Sequence, residues 1–70
     1  MEGKAIKKGL VEIEQTQVWL IKKLYKKGIV VQPSEMSKIL GDVLHTPKAE
    51  RVLEVSAAII RENGYEFNAK

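Results

Sequence analysis

Apolar residues fall along this 70-residue chain in short helical stripes, separated by glycine, proline and polar caps. Ala5, Ile6, Leu10 and Ile13 recur at helical spacing, which predicts a first helix over about residues 3–14 with its lysines outside. Gly9 inside that helix costs about 1 kcal/mol relative to alanine. Thr16 is a good N-cap, and Val18, Leu20, Ile21 and Leu24 carry a second stripe up to the C-terminal stop at Gly28. In "GIVVQP", Ile29, Val30 and Val31 are β-branched, but three residues without a partner strand make no sheet. They are expected to form an extended connector lying on the core.

Pro33 suits the first turn of a short third helix, where its missing N–H does no harm. Met36, Ile39 and Leu40 then face inward, and Ser34, Glu35, Ser37 and Lys38 face outward. Thr46-Pro47 opens a fourth and longest helix, with Val52, Leu53, Val55, Ala57, Ile59 and Ile60 broadly on the core side. Asn63-Gly64 ends it. Tyr65 and Phe67 lie beyond that stop, either folding back on the core or serving as a contact tail. The expected fold class is all-α, a small bundle of four to five helices forming one domain over residues 1–70.

Composition narrows the setting. A hydrophobic content of 44% argues against disorder, which needs far fewer apolar residues. No cysteine is present, so neither a disulfide nor a thiolate zinc site can staple the fold. No apolar stretch is long enough for a membrane span or a signal peptide, and a cytoplasmic protein without membrane contact is expected. Charge is uneven. Residues 1–30 hold seven lysines against Glu2, Glu12 and Glu14, while residues 31–70 carry one more acid than base. A basic half beside a near-neutral half suits a protein that lays one face on a polyanion, although solvated lysine alone would give the same pattern.

Catalytic chemistry has little to work with. His45 is the single histidine, read as a polar loop residue before the Thr46 cap. Glu12 and Glu14 stand two apart on a helix and point to different faces, so they form no carboxylate pair. No glycine-rich phosphate loop or nucleophile motif occurs. The expectation is a binding protein and not an enzyme, with no metal, no cofactor and no small-molecule substrate.

A different constellation does stand out. Thr16-Gln17 is followed by Trp19-Leu20-Ile21 with Leu24, then by Ser34–Ile39, Gly41, Thr46-Pro47 and Val52-Leu53. In order and spacing this resembles the Cro and phage-repressor helix-turn-helix family over roughly residues 5–60. The resemblance implies a sequence-specific transcriptional regulator of phage or mobile-element type that binds double-stranded DNA as a homodimer. A recognition helix over about residues 33–40 would enter the major groove. Base contacts would then come from Gln32, Ser34, Glu35, Ser37 and Lys38, and phosphate contacts from Thr16, Gln17, Lys22 and Lys23.

Two departures from the family pattern stand beside the match. The linker "YKKGIVVQ" is longer than the tight turn of the simplest members. Gly41 also comes one place early and is followed by Asp42, which would repel phosphate, and by Val43 and Leu44. Those two residues would either extend the third helix into the core or line a dimer contact, for which the Tyr65–Phe67 tail is the other candidate. Trp19 is expected to pack and not to stack on a base. The rival reading is a helical protein-interaction module that never touches DNA.

Overall fold

A computed structural model describes residues 2–67 as four helices: α1 (Gly3–Glu12), α2 (Gln17–Lys26), α3 (Pro33–Leu40) and α4 (Pro47–Glu62). The all-α bundle is as expected, with four helices among the described residues. Helices α1 and α2 each pack against α3 and α4 but barely meet one another, and α3 also packs against α4. The shortest helix is therefore braced by the other three.

The core explains why. Ile6 and Leu10 of α1, Leu20 and Leu24 of α2, and Val52, Leu53, Ala57, Ile59 and Ile60 of α4 converge on Met36, Ile39 and Leu40 of α3. An eight-residue helix has little stability of its own in water. Each of its three buried side chains contributes about 1.5–3 kcal/mol by leaving water, and that burial holds it in place. The connector behaves as expected: Ile29 and Val31 are buried and Val30 between them is 56% exposed.

All four helices end in the same way. The N–H one residue past the cap bonds back three residues, and the next N–H reaches back five: Gly28 to Tyr25 and Ile29 to Leu24 close α2, and Gly64 to Arg61 and Tyr65 to Ile60 close α4. The turn requires a left-handed residue. Gly28 (φ 87°) and Gly64 (φ 96°) supply it without strain, whereas Glu14 (φ 59°) and Asp42 (φ 60°) adopt it as non-glycine residues. Thus α1 stops at Glu12, two residues short of the predicted limit. Likewise Val43 and Leu44 do not extend α3, because Asp42 has already turned the chain.

Asp42 has a second task that the sequence did not suggest. Its Oδ1 accepts a 2.8 Å hydrogen bond from the Gly3 N–H, capping α1 from a position 39 residues away, while Glu2 at the N-cap makes no side-chain cap of its own. The positive end of α1 thereby abuts the carbonyl end of α3, a favourable meeting of dipoles. The approach is so close that a Cβ on Gly3 would lie 2.5 Å from the Leu40 carbonyl oxygen. Gly9 serves similarly, since a Cβ there would be 3.1 Å from both Ile60 and Phe67. Its helix-propensity cost is offset by close packing.

Three further placements refine the expected core. Val55 is only half-buried, and Ser56 takes a fully buried place instead, its hydroxyl without a partner. Leu44 packs partly against the core. Tyr65 and Phe67 fold back on it, their rings edge to face at 4.9 Å, so the tail takes the first of its two alternatives.

The two strained helix ends should respond in opposite ways to glycine. Glu14→Gly removes only strain and is expected to gain up to about 1 kcal/mol in urea unfolding. Asp42→Gly relieves the same strain but loses the α1 cap, and should end about 1 kcal/mol less stable. Equal gains from both would show that the Asp42–Gly3 bond contributes nothing.

Candidate nucleic-acid interface

The residues expected to contact DNA lie along α2 and α3 and at the N-caps of the two helices, Thr16 and Gln32. Gln32 is the N-cap of α3 and is exposed, with its side chain making no cap bond. Ser34, Ser37 and Lys38 are also exposed, opposite Met36, Ile39 and Leu40 on the same helix. These four polar side chains are free to meet a ligand.

Glu35 is different. It is partly shielded, and Lys48 in the first turn of α4 grips both of its oxygens, with Nζ 3.2 Å from one and 3.3 Å from the other. The pair answers two local charge problems. A carboxylate in the first turn of α3 suits the positive helix end, whereas a lysine in the first turn of α4 does not and gains from a counter-charge. Lys48 was not singled out in the sequence. Its 13-residue separation from Glu35 corresponds to no helical repeat, so only the α3–α4 packing reveals the pair.

The expected phosphate contacts divide likewise. Thr16 accepts the Trp19 N–H at 3.2 Å and so does its work as the N-cap of α2. Gln17 follows at the first helical position, half-buried. Lys22 is exposed on the outer face. Lys23 instead lies over the Trp19 ring, 5.5 Å from its centroid, and is half-buried there. Trp19 itself packs partly against the core. Its packing role is as expected, though at the edge of the core and not within it.

Asp42 does not stand as a free anion beside these groups, because its carboxylate is engaged at Gly3. His45 is an exposed loop residue whose Nε2 lies 2.8 Å from the Asp42 carbonyl oxygen, and Thr46 caps α4 by accepting the Ala49 N–H at 3.0 Å. Among the described residues, no group of three or more His, Asp or Glu side chains is placed to hold a metal ion, and no helix is long and apolar enough to cross a membrane.

Against models of known protein families, curated proteins and solved structures, the chain shows no match.

The Glu35–Lys48 contact is open to water, which limits its value to about 1 kcal/mol or less. A double-mutant cycle with Glu35→Gln and Lys48→Met should return a coupling of that size, decreasing with added salt. A coupling of zero at low salt would mean that Glu35 is not held.

Proposed function

We propose that the chain is a sequence-specific DNA-binding transcriptional regulator of the phage or mobile-element type, with α2 and α3 as its helix-turn-helix and α3 in the major groove. One observation carries the reading: α3 is anchored on three sides by buried Met36, Ile39 and Leu40, yet offers solvent the polar side chains of Gln32, Ser34, Ser37 and Lys38. A short, weakly stable helix held this firmly with a polar face outward has the form needed for a probe. The major groove is about 12 Å wide and accepts one helix. Serine can bond either a donor or an acceptor on a base edge, and Lys38 suits guanine or a phosphate.

Glu35 enters this reading with its charge already balanced by Lys48, which lessens its repulsion from phosphate. A carboxylate offers about four lone-pair sites, so it can still accept from cytosine N4 while bonded to lysine. Backbone grip falls to Gln17 at the positive end of α2 and to Lys22, while Thr16 caps that end and Lys23, in the last turn, is drawn over the Trp19 ring.

Size supports a dimer. The longest dimension of the described chain is 28 Å, less than the roughly 34–36 Å between half-sites one DNA turn apart, so each copy would read one half-site. Val43, beside the end of α3 and 71% exposed, is the natural self-contact, since Leu44 and the Tyr65–Phe67 tail already serve the core. The second reading, a protein-interaction module, draws support from the exposed Val11, Val18, Tyr25 and Val30.

Binding to a preferred duplex and to a scrambled one, at a single low salt concentration, separates the roles. Ser37→Ala or Lys38→Ala should cost about 1–3 kcal/mol on the preferred site and less on the scrambled one. Lys22→Ala should weaken both alike, because phosphate carries no sequence. If no duplex binds even at low salt, or if the α3 variants behave like wild type, the DNA reading fails and the interaction module replaces it.

A further inference from the structure

Helix α2 carries a surface that the proposed DNA contacts do not account for. Val18 is 58% exposed and Tyr25 68% exposed, with half-buried Ile21 between them. Their spacing of three and then four residues sets them in one stripe along the helix. Beside the stripe, Lys22 and Lys26 are both exposed. Among the four helices α2 alone contains no acidic residue, so its outer face is apolar and uniformly positive. Its inner face is committed to α3 and α4, and α1 hardly reaches it.

We propose that this stripe docks an acidic, amphipathic helix of another protein. Apolar side chains of the partner would cover Val18, Ile21 and Tyr25, and its carboxylates would meet Lys22 and Lys26. Charge complementarity selects this occupant over a second copy of the chain. Two α2 faces brought together would oppose lysine to lysine with no carboxylate on either helix, a like-charge arrangement that costs affinity. Tyr25 suits such a contact, since its ring buries apolar area while its hydroxyl keeps a hydrogen bond at the rim. Lys22 belongs both to this surface and to the proposed phosphate contacts. In a statement that rests on the DNA reading, the acidic helix and DNA therefore exclude one another, and the partner acts as an antagonist of DNA binding.

The probe is a labelled, glutamate-rich synthetic peptide with leucines at helical spacing, followed by fluorescence anisotropy. Its control has the same composition in an order that forms no apolar face. The amphipathic peptide should bind roughly tenfold more tightly than the control. The Val18→Ser/Tyr25→Ser double variant should lose that difference while its thermal midpoint stays close to wild type, since both side chains are largely exposed. Lys22→Gln/Lys26→Gln should weaken binding and flatten its salt dependence. Equal binding of the two peptides, or a Val18/Tyr25 variant that binds like wild type, would overturn the docking proposal. So would self-association of the chain abolished by that variant, or preferential adsorption to anionic lipid vesicles through the same residues. A duplex that binds without displacing the peptide would overturn the antagonism alone. A peptide that binds where no duplex does would leave the docking surface standing and remove the DNA reading.

Discussion

The end of α3 is fixed at one junction, where the start of α1 meets it. Asp42 turns the chain out of α3 in a left-handed conformation and its carboxylate caps Gly3, so one residue both ends one helix and begins another. Gly3 permits the approach because any side chain there would strike the Leu40 carbonyl. Met36, Ile39 and Leu40 then have α1, α2 and α4 to pack against, and the polar residues of α3 are left outside by default. Exposure of that face is thus a consequence of how the helix is anchored, and not of its own propensity.

The same logic orders the electrostatics. Two acids that read as repelling phosphate are occupied: Asp42 at the α1 terminus and Glu35 under Lys48. Lys22 and Lys26 remain exposed on a helix without acids, while Lys27 at its end lies 4.0 Å from Glu62 of α4 in a contact too exposed to add much stability. A chain whose net charge is only +3 can in this way present a locally positive, polar face.

Much of the fold was legible in the sequence because the signals were local. Thr16 and Thr46 each bond the N–H three residues on, as their positions before apolar stripes implied. Gly28 and Gly64 stop α2 and α4 through left-handed turns that glycine accommodates without strain. Legibility ended where partners are distant in sequence. Asp42 reads as a phosphate-repelling loop acid until the 39-residue contact with Gly3 is known, and Glu35 reads as a free base contact until Lys48 is placed beside it. Ser56 was missed for another reason: it is a small polar residue on a buried helix face, and its hydroxyl finds no partner to signal the position. The order of motifs and the exposed polar face of α3 together support the proposed contact with DNA.

The most direct measurement is the change in backbone amide NMR shifts of isotopically labelled protein as a duplex from the region upstream of its own coding sequence is added. The account predicts that the largest changes fall on the amides of residues 32 and 34–38 and of Thr16 and Gln17, with the amides of Ile59 and Ile60 in the core nearly still. Changes concentrated on the Gly3–Asp42 junction, spread evenly over the chain, or absent at low salt would contradict it.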